Sequence, residues 1–448
     1  MSVIHKKGLD ARLMKLSNSY LNQFYRQLFS RLGVISHRGF AWIIGPILIS
    51  TAAISLALAS EEVARFQRAM VGYSRFLPLV LLPLGFMVLA FLVGRYFNGA
   101  QGSGIPQTIA ELDNASDEKS EKHLSVRILL GKILLTIGGL SIGASIGREG
   151  PTVQIGASIM HWFYGKGPFQ NAELRRTLIV AGGAAGIASA FNTPLAGLMF
   201  AIEELSKKHL FTANSSTLVT IIVSGLISLS FLGSYTYFGT SPAQLLWSNG
   251  IGAILLCALV GGLAGGSFSR LLIGFLFDLP ARLASLIEKH KIVFSGLCGF
   301  LIALLGLLSD GVVYGTGYEP TRALLEGQQN ITSSFGIAKF FATLLSAVSG
   351  ITGGIFAPSL AVGAGIGDNL STLVPMLADR SAIILLVMVA YLSGVTRAPV
   401  TSFLIMMEMT NSHQMLIPLM ATSVIASTVA KFVCPVPLYH KLAERFTA

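Results

Sequence analysis

Long apolar stretches alternate with short polar segments along most of the chain. Each stretch has about the 20 residues that a helix needs to cross the hydrocarbon core of a bilayer. Many of them contain Gly or Pro, which favours tilted or broken helices. The stretches that predict membrane-spanning helices are Ala41–Ser60, Phe76–Phe97, Ile128–Ile146, Ser216–Phe238, Gly250–Phe277, Ile292–Leu308 and Leu416–Val433. The pattern predicts an all-α polytopic membrane protein.

Composition supports this class and excludes others. Of the 448 residues, 52% are hydrophobic and 12% are charged, with a mean hydropathy of +0.68, whereas about a quarter of the residues of a soluble protein are charged. The cysteines, Cys257, Cys298 and Cys434, form no CxxC pair. Neither a metal site nor a disulfide framework is therefore indicated, and we expect no cofactor. The net charge of +11 agrees with basic cytoplasmic segments and requires no nucleic-acid partner.

The two ends of the chain predict its orientation in the membrane. Residues 1–33 are basic, and their apolar residues recur every three or four positions, as at Leu9 and Leu13. This spacing predicts an amphipathic helix on the cytoplasmic surface of the lipid. The sequence stops at Ala448, soon after the last apolar stretch, so we expect a short cytoplasmic C-terminal segment and no soluble regulatory domain. The mixed charges of residues 111–125 predict a solvated loop.

Two segments of the chain recur in the same order. GREGPTVQIGA, residues 147–157, and GIFAPSLAVGA, residues 354–364, share G-x-x-x-P-[ST]-x-x-[IV]-G-A at an offset of 207. FNTPLAGLMFAIEEL and VTRAPVTSFLIMMEM align Pro194 with Pro399, at an offset of 205. Such repeats predict duplicated transmembrane halves, and transporters often bind their substrate where broken helices of two halves meet. The predicted halves are residues 34–240 and 241–448. The pattern leaves open whether they are parallel or inverted.

A short glycine-proline unit occurs three times and predicts an anion site. It reads GSGIP at residues 102–106, GREGP at 147–151 and GIFAP at 354–358, and a stretch that can be helical follows each proline. Proline is favoured in the first turn of a helix, and the glycines leave backbone N–H groups approachable. Three helix N-termini inside a membrane protein hold an anion by partial charges. Such binding is weak enough for the anion to leave again.

Arg148 and Glu149 place two charges in the middle of an apolar stretch, where charge is costly. A carboxylate at a helix N-terminus lies where the anion would bind. It competes with the anion when ionised and releases the site when protonated, which couples protons to anions. The alternative interpretation is that Glu149 only forms a structural ion pair with Arg148.

These motifs together resemble the CLC chloride channel/transporter family. GSGIP, GREGP and GGIFAP occur in that order, with FNTPLAGLMFAIEE between the last two, and the similarity covers about residues 30–445. The resemblance implies inverted halves of tilted, partly broken helices and a homodimer with one anion pathway in each subunit. The short C-terminus is similar to that of bacterial members, which implies a bacterial plasma membrane with both termini in the cytoplasm.

The resemblance also implies roles for individual residues. Glu149 corresponds to the external gate, and Glu204, the second glutamate of FAIEEL, corresponds to the group that takes up protons from the cytoplasm. Lys132 and Arg148 correspond to electrostatic support for the anion. The residues that correspond to the anion site are Ser103, Gly104, Ile355, Phe356 and Tyr439.

Two positions depart from the family pattern. The residue after GSGIP is often acidic in bacterial relatives, but here it is Gln107. A second acidic residue that can lie near the internal glutamate is replaced by Ile109. We expect these changes to affect the delivery of protons to Glu204 and to leave the anion site intact.

The function implied is a secondary active exchange of chloride for protons, with no enzymatic activity. The alternative is a passive chloride channel, gated by voltage or pH, although channels of the family commonly lack a glutamate at the position of Glu204. Fluoride-exporting members lack the counterparts of Ser103 and Tyr439, and a nitrate-preferring member would have proline at position 103. An intramembrane enzyme is a third class, but HExxH does not occur in the sequence, and GxSxG occurs only within the glycine-rich stretch GLSIGASIG, residues 139–147.

Overall fold

The structure, a computed structural model, describes residues 40–114, 122–164, 172–207, 215–233, 247–328 and 331–447, together with residues 238, 243 and 245. The N-terminal surface helix predicted for residues 1–33 lies outside these ranges. The first helices are α1 Phe40–Tyr73, α2 Pro78–Tyr96, α3 Ile105–Asp113, α4 Val126–Ile142, α5 Glu149–Trp162, α6 Ala172–Phe191, α7 Pro194–Phe200 and α8 Ser215–Leu232. A π-helical turn, Ala201–Leu205, follows α7.

The second series contains ten helices and one short 3₁₀ turn, His413–Met415, among the described residues. Its helices are α9 Trp247–Phe277, α10 Ala281–Lys289, α11 Lys291–Leu308, α12 Tyr318–Leu325, α13 Phe335–Val348, α14 Phe356–Leu373, α15 Arg380–Thr396, α16 Pro399–Thr410, α17 Leu416–Val433 and α18 Leu438–Thr447.

The membrane class predicted from the apolar stretches is confirmed. Within the described ranges, six helices are long and apolar enough to cross a membrane, namely α1, α2, α8, α9, α11 and α17. Each coincides with a predicted stretch. The seventh stretch forms α4, which has 17 residues. Side chains such as Phe231 and Phe432 are 77% and 84% exposed on α8 and α17, as expected for surfaces covered by lipid or by another subunit.

The duplication is visible in the order of the helices. α1–α8 recur in the same order as α9 and α11–α17, with α10 as an addition. Equivalent neighbours pack alike, since α5 packs on α6 as α14 packs on α15, and α7 packs on α8 as α16 packs on α17. The repeat detected in two short motifs therefore extends through both halves.

The two halves are inverted relative to each other, because the equivalent helices α7 and α16 run antiparallel. The carboxylate of Glu203, after α7, accepts hydrogen bonds from the N–H groups of Val400 (3.0 Å) and Thr401 (2.6 Å) at the start of α16. Glu408, near the end of α16, accepts hydrogen bonds from Leu195 (3.3 Å) and Ala196 (2.9 Å) at the start of α7. Each glutamate thus stabilises the positive end of the other helix. A twofold relation that reverses chain direction produces this exchange, as in an inverted repeat.

The prediction of a solvated loop over residues 111–125 is wrong at its first three residues, and residues 115–121 lie outside the described ranges. Helix α3 continues through Asp113, so Glu111 lies on a packed helix and is 1% exposed. Its carboxylate pairs with Arg175 at 2.9 Å, and the same guanidinium donates to His161 Nε2 at 3.2 Å. A buried charge requires such partners, and the loop prediction failed because Arg175 is 64 residues away in the sequence.

Candidate functional site

Short backbone bridges join the three glycine-proline units. Gly102 donates its N–H to the Ile351 carbonyl (2.8 Å), and its own carbonyl accepts from Gly353 (3.0 Å). Gly147 and Gly354 exchange two hydrogen bonds, of 2.7 and 2.8 Å, in an antiparallel bridge. These contacts bring the N-termini of α3, α5 and α14 together, as the motifs predict. The first N–H groups of each helix have no partner within that helix.

Two glycines make this close approach possible. A Cβ atom added to Gly150 would overlap the hydroxyl of Ser103, so Ser103 lies directly against the first turn of α5. Gly104 caps α3 with φ of +100°, a conformation that residues with a Cβ rarely adopt. The spacing of GSGIP and GREGP therefore places a serine hydroxyl between two helix N-termini.

Tyr439 completes the cluster from the far end of the chain. It lies in the first turn of α18, and its fully buried ring stacks on Phe356, the first residue of α14, with centroids 5.9 Å apart and an interplanar angle of 8°. Ser103 is 8% exposed. Neither hydroxyl makes a hydrogen bond of normal geometry to another described residue. The two hydroxyls contact each other and have no further hydrogen-bond partner among the described residues, so both can turn to a ligand.

Glu149 lies at the same cluster. It is the first residue of α5, is fully buried, and its carboxylate lies against Gly147, beside the start of α14. Arg148 Nε is 3.9 Å from Glu149 Oε1, and Arg148 Nη1 donates to Ser60 Oγ at 2.8 Å. Arg148 also lines an open cavity of about 670 Å³. The arginine therefore stands between this cavity and the buried carboxylate, and its ion pair with Glu149 is long.

Glu204 lies in the π-helical turn after α7, a type of distortion that is frequent at functional sites. It is fully buried, and neither carboxylate oxygen hydrogen-bonds to another described residue. The imidazole of His440 lies beside it, with Nε2 3.9 Å from Oε1. Glu204 lies outside the candidate membrane spans, and burial raises the pKa of its carboxyl to about 8. Of the two adjacent glutamates, Glu203 caps α16 and Glu204 faces α18.

Lys132 supports the loop that carries Ser103. The lysine is fully buried in α4, and its Nζ donates to the carbonyl groups of Ala100 (2.9 Å) and Gly102 (2.8 Å). The sequence predicted Lys132 as a basic group near the anion pathway. The residue also has a structural function, because its ammonium group fixes the backbone before α3.

Sequence reasoning missed Lys339 and His440. Lys339 is also fully buried, and its Nζ donates to the carbonyl groups of Val313 (2.8 Å) and Gly315 (2.7 Å). Its separation from Lys132 equals the repeat offset of 207, which could have revealed it. His440 follows Tyr439 directly, but no local pattern indicates that it meets Glu204.

Comparison with known proteins gives matches along most of the chain. Residues 85–431 match the sequence profile of a family described as "Voltage gated chloride channel". The chain is 31% identical over 386 residues to the H(+)/Cl(-) exchange transporter ClcA of Klebsiella pneumoniae, covering 83% of this chain and 79% of that protein. It is 30% identical over 390 residues to ClcA of Salmonella agona, covering 82% and 80%.

Solved structures show the same fold. A structure described as a slow cyanobacterial Cl-/H+ antiporter matches with a TM-score of 0.75 and 24% identity, covering 91% of this chain and 97% of that one. A CLC-type fluoride/proton antiporter matches with a TM-score of 0.71 and 22% identity, covering 89% and 97%. The fold is therefore shared by proteins described as carrying different halides.

Proposed function

Because the chain belongs to the voltage-gated chloride channel (CLC) family, we propose that it exchanges chloride for protons across the membrane that it spans. One observation carries the proposal: three helix N-termini and two buried hydroxyls meet next to a buried carboxylate, Glu149. A second buried carboxylate, Glu204, lies against α18. Neutral donors suit an anion, and buried carboxylates suit a proton.

In this proposal chloride lies between Ser103 and Tyr439 and accepts hydrogen bonds from their hydroxyl groups. The N–H groups of Ile355 and Phe356 at the start of α14 contribute, and Gly104 lets α3 begin close by. A hydrogen bond to a charged group is worth about 1.5–3 kcal/mol. No lysine or arginine is assigned as a direct ligand, so the anion is held by partial charges and can leave.

Glu149 is the gate in this proposal. Its carboxylate competes with chloride when ionised and withdraws when protonated, so proton binding and anion binding are linked. Arg148 and Lys132 add positive potential along the pathway. Glu204 supplies the protons from the other side of the cluster. A carboxyl with a pKa near 8 is largely protonated at neutral pH, so we expect proton flux to fall when the pH on the side of Glu204 rises above about 8.

The remaining assignments concern the whole molecule. We propose halves at residues 34–240 and 241–448, both termini in the cytoplasm, and a location in a bacterial plasma membrane. We also propose a homodimer with one pathway in each subunit. The exposed apolar side chains of α8 and α17, such as Ile222 and Ile417, are surfaces suited to lipid or to a second subunit.

The decisive experiment measures chloride and proton fluxes together in liposomes that contain the purified protein. A chloride gradient should drive protons uphill in the unmodified protein. Glu204→Gln should still move chloride but should move no protons, because an amide cannot carry a proton. Chloride flux without proton flux in the unmodified protein would instead indicate a passive channel.

A further inference from the structure

The imidazole of His440 packs against Glu204. Its Nε2 is 3.2 Å from the Glu204 carbonyl oxygen and 3.9 Å from the carboxylate oxygen Oε1. The His440 side chain is 10% exposed, whereas that of Glu204 is 0% exposed. The His440 side chain is thus closer to the surface than the carboxylate of Glu204, although its own Nδ1 is buried.

The surroundings of Glu204 contain few other proton donors among the described residues. Glu203 is turned away and caps α16, and Lys207 lies on the exposed turn that follows the π-helical segment. Helix α3 packs against both this turn and α18, but at position 109 it carries a buried isoleucine, which cannot exchange protons. The acidic residues that α3 does carry, Glu111 and Asp113, follow this position, and Glu111 is paired with Arg175 at 2.9 Å.

We propose that His440 is the proton-delivery residue for Glu204. In this proposal, water that enters beside α18 protonates the buried Nδ1 of the imidazole. The imidazolium then gives its Nε2 proton to a carboxylate oxygen of Glu204, either after a small rotation of the ring or through one water molecule. The histidine returns to the neutral form and the acid carries the proton. Imidazole suits this task because it titrates near neutral pH. The inference rests on the proposed exchange of chloride for protons.

The test compares His440→Ala with His123→Ala in liposomes. His123 is a matched control, because it is also a partly buried histidine in contact with α18, with Nε2 3.3 Å from the Phe446 carbonyl oxygen. We expect His440→Ala to lower the number of protons moved per chloride at neutral pH by about tenfold or more, given that a positioned proton-transfer group contributes at least about 100-fold. His123→Ala should keep the ratio of the unmodified protein.

Two further readouts separate a proton carrier from a structural histidine. Imidazole added to the buffer should restore proton flux in His440→Ala, because a diffusible base can replace the missing ring, and should leave His123→Ala unchanged. The pH dependence of proton flux in His440→Ala should differ from that of the unmodified protein, whereas His123→Ala should keep it.

The outcomes are distinct. An unchanged ratio of protons to chloride in His440→Ala, or a reduced ratio that imidazole does not restore in protein that still carries chloride, overturns the assignment of His440 alone. Chloride flux without any proton flux in the unmodified protein overturns both this inference and the proposed exchange.

Discussion

Two equivalent loops, one in each half, are each held by a buried lysine, but only the loop of the first half lies at the anion cluster. In the first half Lys132 binds two carbonyl groups before α3, and in the second half Lys339 binds two carbonyl groups before α12. The central glycines, Gly102 and Gly315, have φ of 62° and 63°. The scaffold was therefore duplicated together with its buried lysine.

The surroundings of the two loops differ. Ser103 is buried between Gly150 and Tyr439, whereas its counterpart Thr316 lies on the wall of the open cavity and accepts a hydrogen bond from the N–H of Tyr318 at 3.3 Å. A helix N-terminus with a hydroxyl is thus present in both halves. The difference shows that the candidate anion site depends on the elements that cover the loop, above all on α18.

The first residues of α5 and α14 give the sharpest contrast between the halves, since Glu149 stands where Phe356 stands in the repeat. Glu149→Gln removes the only charge from this pair of residues. We expect it to change ion transport more than any other variant considered below. Proton flux should disappear, while chloride flux should continue. In the unmodified protein chloride flux should rise as the external pH falls, because protonation removes the competing carboxylate.

The measurement is chloride efflux from liposomes over a pH series, with proton flux followed in parallel. The glutamine variant should lose most of its pH dependence, because its amide does not titrate. Continued proton coupling in this variant would mean that Glu149 is only a structural partner of Arg148.

The two lysines test whether support of the loop and affinity for chloride can be separated. Lys132→Met and Lys339→Met each remove two hydrogen bonds that a buried ammonium group donates to carbonyl groups, so each should lower the free energy of unfolding by about 2–4 kcal/mol. Chloride affinity, measured by calorimetry in detergent, should fall about tenfold or more only for Lys132→Met, because only that loop carries Ser103. An equal loss of affinity in both variants would contradict this separation.

The serine and the threonine give a matched pair with a smaller effect. Ser103→Ala should weaken chloride binding by about 1.5–3 kcal/mol, since it removes a hydroxyl donor from a buried anion. Thr316→Ala should change the affinity by less than about 0.5 kcal/mol, as expected for a residue that does not touch the ligand. Calorimetric titration of both variants checks this, and the prediction fails if the threonine variant shows the larger loss.

The sequence allowed the membrane class, the repeat and the meeting of the three glycine-proline units to be predicted, because each is encoded in a local pattern at a fixed offset. Contacts between distant positions left no such pattern. Lys132 was predicted as a charge near the pathway, but its bonds to two carbonyl groups depend on the fold of a loop 30 residues away. The meeting of His440 with Glu204, 236 residues apart, depends on how α18 packs.

The reciprocal caps of α7 and α16 are the feature in which the halves are most alike, and they predict the smallest and most equal effects. Glu203→Gln and Glu408→Gln each remove one charge from a helix N-terminus but keep one acceptor oxygen, so each should destabilise the protein by about 1 kcal/mol. The two losses should agree within about 1 kcal/mol, because the N–H contacts are related by the repeat, although Glu203 also accepts a hydrogen bond from the Thr401 hydroxyl at 2.8 Å. Unfolding in detergent measures them.

The same variants decide which of the two adjacent glutamates carries protons. Glu203 uses both carboxylate oxygens as a cap, while those of Glu204 make no hydrogen bond to another described residue. Glu203→Gln should therefore keep the proton coupling of the unmodified protein, as should its counterpart Glu408→Gln. If Glu203→Gln abolished proton flux and Glu408→Gln did not, the two equivalent glutamates would differ in function. The proton route would then pass through Glu203.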